Sequence, residues 1–209
     1  MKQVKVTPPD WDLEQLQRFD YLIGADEVGR GPVAGPIYAA AVRMQMSDIM
    51  NFMGRVTDSK AMTEKQRLMA FPLCQQCTHS ITWRPAAFIN QHGIQPANEQ
   101  IFVEAIQALL LPDTLVVVDG TIKLGMSCTM LVLPRAETIS LTVAIASVLA
   151  KVTRDSYMAQ VHLLYPQYDW GQNKGYGTPK HIAGLRQHGV TPEHRTMFVN
   201  TLLSTSKKT

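Results

Sequence analysis

The sequence lacks the patterns that mark membrane-spanning and secreted proteins. None of its apolar runs approaches the roughly 18 residues that a transmembrane helix needs, and no secretory leader is recognisable. It contains only three cysteines, an odd number that cannot pair completely within one chain. We therefore expect a cytoplasmic protein that keeps its thiols reduced and has no membrane partner.

Cysteine is also too scarce to build a structural zinc site. Cys74 and Cys77 form a CxxC pair, whereas Cys128 stands alone. A structural zinc site needs about four ligands, which usually come as two pairs of similar spacing. We interpret all of the cysteines as ordinary reduced thiols.

Nucleotide-binding and serine-hydrolase motifs are equally missing. The sequence has no GxxxxGK[ST] loop and no GxSxG elbow. Residues 29–34 fit the degenerate dinucleotide fingerprint, but a helix must follow that motif, and residues 37–42 are more typical of a strand. His181, His188 and His194 show no metal-ligand spacing, so we interpret most of them as surface or packing residues.

Nothing in the sequence divides the chain into separate domains. Its 209 residues, 45% of them hydrophobic, suffice for one well-buried core, and no internal repeat or linker interrupts them. The net charge of +3 is mildly basic, so it permits a polyanionic partner without requiring one. We expect a single domain over residues 1–209 that acts as a monomer.

The most informative stretch is residues 24–36, which follow the apolar residues 21–23. This stretch places two adjacent carboxylates, Asp26 and Glu27, before a series of glycines. Acids at the end of a buried strand are costly to desolvate unless they meet a cation, and glycines let the backbone come close to a ligand. The stretch therefore indicates a metal and phosphate site, the alternative being a tight turn.

A second buried strand also ends in an acid. The apolar residues 115–118 lead into Asp119, which stands directly before Gly120. Two strand ends could thus supply one carboxylate cluster of the kind that holds divalent cations, although Asp119 could instead be a turn or capping residue. Neighbours on a regular strand face opposite ways, so Asp26 and Glu27 can share a site only if the strand ends or bulges between them.

Hydrophobic periodicity and capping residues predict strands that alternate with helices, which is typical of an α/β domain. The expected strands cover residues 21–28, 36–44, 78–84, 115–118 and 128–133. The expected helices begin after Thr63, Asn98, Thr178 and Thr191, and a long one carries the apolar stripe Leu141, Ile145, Val148, Leu149 and Val152. Lys151 and Arg154 fall off that stripe, which predicts that they face solvent or substrate.

The glycine-rich stretch is specific enough to indicate a family. The run from Asp26 to Pro32, followed by Ala34-Gly35, resembles the signature of ribonuclease HII, the bacterial type 2 ribonuclease H. Further blocks that resemble this family follow in order, namely Thr57–Lys60, Val117–Gly120, Ala150–Asp155, Lys174–Thr178, and His194-Arg195 with Phe198. Together they span most of residues 21 to 200.

The resemblance implies a fold and an activity. The fold would be ribonuclease H-like, a central mixed β-sheet flanked by helices, with residues 1–20 as an N-terminal arm and residues 178–209 as a helical extension. The activity would be endonucleolytic cleavage of the RNA strand of RNA/DNA hybrids and incision 5′ of ribonucleotides embedded in duplex DNA, for their removal during replication and repair. Two Mg²⁺ or Mn²⁺ ions would assist, and 3′-hydroxyl and 5′-phosphate ends would result. The alternatives are a catalytically weakened hybrid-binding protein and another metal-dependent phosphoryl hydrolase.

The resemblance also implies which carboxylates hold the metal ions. Asp26, Glu27 and Asp119 match the family directly. The family's fourth carboxylate lies in a Lys-Gly-Asp block that aligns with residues 135–137, so Glu137 takes that place with one extra methylene. Asp155 is the competing acid, but its spacing from the other blocks favours Glu137, and we interpret Asp155 as part of a surface or capping ion pair.

The resemblance further implies how substrate is bound. Backbone groups of Gly29, Arg30 and Gly31 would grip the ribonucleotide, and Tyr176 would stack on the next sugar and sense the ribose-to-deoxyribose junction. Basic residues offer phosphate contacts or structural partners, and the sequence does not rank them: Lys60, Lys151, Lys174 and Arg195.

Overall fold

The computed structural model describes residues 9–52 and 62–205. Within these ranges five strands form one sheet in the order β3-β2-β1-β4-β5. The strands are β1 (Tyr21–Val28), β2 (Ile37–Met44), β3 (Thr78–Arg84), β4 (Thr114–Asp119) and β5 (Thr129–Leu133). Each predicted strand is confirmed, with ends that differ by at most one residue.

The sheet is mixed, and its register decides where the acids stand. β1 pairs antiparallel with β2, from Leu22 opposite Met44 to Val28 opposite Tyr38. On its other side β1 pairs parallel with β4, ending at Ala25 opposite Val118, and β4 pairs parallel with β5. Because β1, β4 and β5 run in the same direction, their carboxyl ends lie at one edge of the sheet.

The helices and turns connect these strands. The α-helices are α1 (Asp10–Gln15), α2 (Met46–Phe52), α3 (Glu64–Cys74), α4 (Ala86–His92), α5 (Ile94–Gln107), α6 (Leu141–Leu164), α7 (Trp170–Asn173), α8 (Pro179–His188) and α9 (Thr196–Thr205). Short 3₁₀ turns cover Ala136–Thr138 and Pro166–Tyr168. None of the helices in the described ranges is long and apolar enough to cross a membrane.

Two of the predicted helix starts are confirmed by their caps. Thr63 forms a capping box with Gln66, whose backbone N–H donates to Thr63 Oγ1 at 3.2 Å while its side chain accepts from the Thr63 N–H at 2.8 Å. Thr178 caps α8 by accepting from the His181 N–H at 3.4 Å, with Pro179 in the first helical position.

Two other predicted starts are wrong. α5 begins at Ile94, so Asn98 lies inside the helix, because Pro96 sits in the first turn, where a missing N–H costs no hydrogen bond. The last helix begins at Thr196 rather than after Thr191. Thr191 instead closes a short turn, accepting the backbone N–H of His194 at 3.0 Å.

The described residues form two compact units. The first comprises residues 9–28, 38–52, 62–82 and 99–152, and the second comprises residues 29–37, 83–98 and 153–205. The core of the first unit includes Leu22, Val42 and Val117 of the sheet and the whole predicted stripe of α6. The core of the second unit includes Val33, Met158, Tyr168, Trp170 and Val199. That the whole chain acts as one domain stays a prediction.

Gly24 lets α6 pack directly on β1. A Cβ atom at this position would lie 2.6 Å from the carbonyl carbon of Thr142 and would also overlap the backbone nitrogen of Val143. Only glycine permits such an approach of helix to strand. The first turn of α6 therefore lies against Gly24 of β1, which is two residues before Asp26.

Candidate catalytic and substrate-binding residues

Asp26 and Asp119 occupy neighbouring positions at the carboxyl edge of the sheet. The parallel pairing of β1 with β4 ends at Ala25 opposite Val118, and the next residue of each strand is the acid. Both side chains are buried, Asp26 being 3% exposed and Asp119 8%. The structure thus brings together two carboxylates that are far apart in the sequence.

The block that contains Glu137 returns to Asp119. Arg135 adopts a left-handed conformation with φ 63°, which turns the chain after β5. The backbone N–H of Ala136 then donates to Asp119 Oδ1 at 2.9 Å. Glu137 follows in the chain and is 2% exposed. This turn places a third buried carboxylate next to the residue that bonds Asp119.

Glu27 differs from these acids in both position and exposure. β1 pairs with β2 in unbroken register through Val28, so the bulge that would turn Asp26 and Glu27 to one face does not occur. Pairing with β4 does end before Asp26. Glu27 is half-buried, and its backbone N–H donates to Asp26 Oδ1 at 2.7 Å. Its participation in a shared metal site stays a prediction.

The chemistry of these side chains fits a divalent cation. Carboxylate oxygens are hard ligands of the kind that Mg²⁺ and Mn²⁺ prefer, and Asp26, Asp119 and Glu137 are buried, where charge without a counter-charge is costly. Over residues 9–52 and 62–205, however, no three His, Cys, Asp or Glu side chains stand close enough to hold one ion between them. That these carboxylates hold a cation stays a prediction.

Asp155 lies elsewhere on the chain. It is half-buried on α6, about four helical turns beyond Leu141, whereas Glu137 precedes that helix. The acid in the turn that bonds Asp119 is therefore Glu137. Which of the two serves as the fourth carboxylate stays a prediction.

Two buried arginines hold the glycine-rich segment of the second unit. Arg154 is 0% exposed, and its guanidinium donates to the carbonyls of Pro36 at 2.9 Å, Lys174 at 3.0 Å and Ala34 at 3.3 Å. The prediction that Arg154 faces solvent or substrate is wrong, because the carbonyls of a buried loop need donors and this side chain supplies them. Gly29, at φ +101°, leaves room for it: a Cβ there would lie 2.9 Å from Arg154 Cδ.

Arg195 is the second of these arginines. It is 0% exposed and donates from Nε to the Gly35 carbonyl at 2.9 Å and from Nη1 to the Arg30 carbonyl at 3.0 Å. Burial, with a smaller contribution from Arg154, lowers the pKa of Arg195 to about 9, while Tyr176 acts in the opposite direction. Of the two roles left open by the sequence, the structural one is confirmed, since a fully buried guanidinium cannot reach a phosphate.

Tyr176 and Gly31, predicted separately as substrate residues, lie together in this unit. Both are exposed, and a Cβ added to Gly31 would lie 3.7 Å from Tyr176 Cε1. Lys174 donates through Nζ to the Gly171 carbonyl at 2.7 Å, so its amine takes part in the loop itself. Lys151 is half-buried on α6, and Lys60 lies outside the described residues.

Sequence reasoning did not predict the hydrogen-bond partners of three buried polar side chains. Asp12, in the N-terminal arm, accepts from the N–H and hydroxyl of Thr142 at 2.8 Å each and so caps α6. His181 and His194 are 0% and 1% exposed and face each other at 3.1 Å between their Nε2 atoms, while His188 is exposed. Only the spacing of Thr178 and His181, which puts the histidine in the first turn of α8, hinted at such a fixed position.

The cysteines behave as predicted. All are free, and burial raises the pKa of Cys74 and of Cys77 to about 12. These groups therefore remain protonated thiols at neutral pH and are poor nucleophiles.

Comparison with known proteins agrees with the resemblance. A family model described as Ribonuclease HII matches residues 23–201. A ribonuclease HII of Jannaschia sp. (strain CCS1) is 36% identical over 195 residues, which are 91% of this chain and 94% of that protein.

Solved structures with the same fold include two ribonucleases H. The ribonuclease H2 of Pyrococcus horikoshii OT3 matches with a TM-score of 0.74 at 23% identity, over 90% of this chain and all of that one. Bst-RNase HIII, solved in complex with Mn²⁺, matches with a TM-score of 0.72 at 18% identity, over 93% of this chain and 73% of that one. At such identities the likeness establishes the fold, and the predicted ribonuclease H-like fold is confirmed.

Proposed function

Because the chain belongs to the ribonuclease HII family of endonucleases that act on RNA/DNA hybrids, we propose that it also incises duplex DNA 5′ of an embedded ribonucleotide. The products would carry 3′-hydroxyl and 5′-phosphate ends. In the cytoplasm this incision would begin the removal of ribonucleotides from DNA during replication and repair. The observation that supports a catalytic role best is the position of Asp26 beside Asp119, with the turn of Glu137 bonded to Asp119.

The carboxylates would do their work as ligands. Asp26, Glu27, Asp119 and Glu137 would hold two divalent cations, Mg²⁺ or Mn²⁺. Such ions compensate the negative charge of phosphodiester hydrolysis and lower the pKa of the attacking water. The hydrogen bond from the Ala136 N–H to Asp119 Oδ1 would help to orient that carboxylate as a ligand.

Glu137 would make this metal site more permissive than its family counterpart. A glutamate in place of aspartate adds a methylene and one rotatable bond, so the carboxylate is held less rigidly. Mg²⁺ demands near-ideal octahedral geometry, and Mn²⁺ is the more forgiving ion. We therefore propose that this chain turns over relatively better with Mn²⁺ than a variant that carries aspartate at position 137.

The ribose would be read in the second unit. Arg195 holds the Arg30 carbonyl, and in a planar trans peptide the N–H of Gly31 points the opposite way. That exposed N–H would bond an oxygen of the ribonucleotide, whose 2′-hydroxyl distinguishes it from DNA. The half-exposed ring of Tyr176 would stack on the following sugar.

One assay distinguishes this function from its alternatives. The protein is incubated with labelled duplex DNA that contains one ribonucleotide, in Mg²⁺ or Mn²⁺, with an all-DNA duplex and a continuous hybrid as controls. Incision 5′ of the ribonucleotide supports the proposal, and binding without incision would indicate a hybrid-binding protein. Inertness on both ribose substrates together with phosphomonoester hydrolysis would indicate another phosphoryl hydrolase.

A further inference from the structure

A buried hydrogen-bond network lies beneath Tyr176. His181 Nδ1 lies 2.9 Å from the Tyr176 carbonyl oxygen, and His181 Nε2 lies 3.1 Å from both Trp170 Nε1 and His194 Nε2. His194 Nδ1 in turn accepts from the Thr191 N–H at 2.8 Å. The side chains of Trp170, His181 and His194 are at most 1% exposed.

The partners assign every proton in this network. A carbonyl oxygen can only accept, so His181 carries its proton on Nδ1 and leaves Nε2 as an acceptor. The Thr191 N–H can only donate, so His194 has a bare Nδ1 and carries its proton on Nε2. The His194 proton therefore points at His181 Nε2, which also receives the indole N–H of Trp170. Both imidazoles are neutral, and the geometry allows no other arrangement.

The main chain of Tyr176 is fixed on all sides. Its N–H donates to the Asn173 carbonyl at 2.9 Å, and its carbonyl accepts from the Thr178 N–H at 2.9 Å as well as from His181. Neither neighbouring glycine has room for a side chain: a Cβ would lie 3.1 Å from the Ala34 carbonyl carbon at Gly175 and 2.7 Å from Leu202 Cδ2 at Gly177. Nevertheless the Tyr176 side chain is 48% exposed, with its ring against Gly31.

Packing alone does not require buried polar side chains beneath an exposed ring, since apolar side chains could fill the same space. Burying neutral imidazoles and an indole N–H is tolerated only when every polar atom is satisfied. Burial, and for His194 the neighbouring His181, lowers the pKa of both histidines, to about 4 in His194, so the neutral forms persist at physiological pH. What these bonds fix is the direction from which the aromatic ring leaves the main chain.

We propose that His181 is a positioning residue that sets the orientation of Tyr176, with Trp170 and His194 holding its ring in place, and that it thereby sets the preference for a ribose-to-deoxyribose junction. This inference rests on the proposed function, in which Tyr176 senses the junction. His181 itself is 0% exposed, so it would act through Tyr176 and not by contact with the substrate.

Two substitutions separate the two sides of the imidazole. In His181→Asn the amide nitrogen takes the place of Nδ1 and keeps the bond to Tyr176, while the Nε2 side is lost. In His181→Gln the amide reaches the place of Nε2 and keeps an acceptor for Trp170, while the bond to Tyr176 is lost. Gln keeps one methylene more than Asn, so lost volume alone would harm His181→Asn more than His181→Gln, the opposite of the expected order. His188→Gln on the exposed face of the same helix serves as the control.

The measured quantity is a ratio, kcat/KM on duplex DNA with one ribonucleotide divided by kcat/KM on a continuous hybrid, taken at matched folded fractions. Loss of stability alone leaves this ratio unchanged. We expect a fall of about fivefold in His181→Gln, the size of one lost buried hydrogen bond, and a change of less than about twofold in His181→Asn. In a Tyr176→Ala background, His181→Gln should lower the ratio no further. Equal ratios in the two His181 variants would overturn the inference.

A spectroscopic measurement keeps the inference apart from the proposed function. Nitrogen NMR of labelled histidine should show His181 protonated on Nδ1 and His194 on Nε2, and the opposite tautomers would contradict the network. If Tyr176→Ala leaves the ratio unchanged, the junction role of Tyr176 fails. Hydrogen exchange of the Tyr176 amide then decides on positioning: faster exchange in His181→Gln than in His181→Asn supports it, and equal exchange overturns it.

Discussion

Arg195 donates to the carbonyl of Arg30 across 165 residues of sequence, at 3.0 Å. The same guanidinium bonds the Gly35 carbonyl, and Arg154 bonds the carbonyls of Ala34 and Pro36. The side chains of Arg195 and Arg154 thus hold the carbonyls of the glycine-rich segment on their own side of the chain. Because a peptide is planar, the N–H of Gly31, on the other side of the Arg30 carbonyl, points away from Arg195, and it is this N–H that we propose to bind the ribonucleotide.

Arg195→Lys should therefore impair recognition as well as stability. A lysine has one compact ammonium and cannot span the Gly35 and Arg30 carbonyls as the planar guanidinium does. We expect kcat/KM on a single ribonucleotide to fall by about tenfold, the size of one or two lost charge-assisted hydrogen bonds. Arg186→Lys, exposed on α8, is the control. Kinetics as fast as those of the unchanged protein at equal folded fraction would show that the segment keeps its shape without Arg195.

Asp26→Asn and Asp119→Asn should each remove nearly all turnover while hybrid binding stays largely intact. An amide keeps the shape of the side chain and, at position 119, an oxygen that can still accept the Ala136 N–H, but it loses the charge that holds a metal ion. Incision rates at saturating metal and hybrid affinity by fluorescence anisotropy give the two readouts. Asp113→Asn, at the exposed start of β4, is the matched control. Substantial turnover in either site variant contradicts the assignment of these carboxylates.

The identity of the fourth carboxylate is decided by a comparison of Glu137 with Asp155. We expect Glu137→Ala to lower the rate by orders of magnitude and Glu137→Asp to be tolerated, with a smaller advantage of Mn²⁺ over Mg²⁺. Asp155→Ala should act mainly through stability. The reverse ranking at matched folded fractions, with Asp155→Ala inactive and Glu137→Ala nearly normal, would overturn the assignment.

Gly24→Ala should destabilise the first unit. The added Cβ would overlap the backbone of Thr142 and Val143, which a rotamer change cannot relieve, and overpacking of this kind costs about 1–3 kcal/mol or more. Urea unfolding measures the loss. Gly125→Ala is the control, because nothing lies within 4 Å of its Cβ position. If both variants unfold at the same urea concentration, α6 and β1 are not as close as described.

The parts of the fold that could be predicted are those that local sequence determines. Apolar runs of strand length predicted that Asp26 and Asp119 lie at strand ends. Thr63 and Thr178 predicted the starts of their helices, because a cap depends on only a few neighbouring residues. Long-range hydrogen bonds were out of reach. Arg154 was predicted to face solvent or substrate because its carbonyl partners, apart from Lys174, lie about 120 residues earlier.

The same limit explains what was missed in the candidate sites. The pairing of His181 with His194 depends on the turn at Thr191. The sequence Thr191-Pro192 is typical of a helix start, so this turn was not predicted. The position of Glu137 could be proposed only from the family, since its proximity to Asp119 depends on a left-handed residue, Arg135, that no local preference indicates.

Two buried groups should give the stability of this chain opposite dependences on pH. Burial raises the pKa of Asp12 from 3.8 to about 6, so between these values the folded state binds a proton that the unfolded state has lost. Stability from this group is therefore greatest below about pH 4 and falls by up to about 3 kcal/mol as the pH rises to 6.

His194 acts in the other direction. Burial lowers its pKa from 6.5 to about 4, so between these values the unfolded state takes up the proton, and stability is lost as the pH falls through this window. Because the two windows overlap, the free energy of unfolding of the unchanged protein should depend only weakly on pH between about pH 4 and 6.

Two variants separate the contributions of Asp12 and His194. Asp12→Asn stays neutral and can still accept from the Thr142 N–H, so the free energy of unfolding of this variant should rise with pH. In His194→Gln the free energy of unfolding should fall with pH over the same range. Urea unfolding at half-unit steps of pH measures these slopes, and parallel curves for all three proteins would show that neither group titrates with its buried pKa.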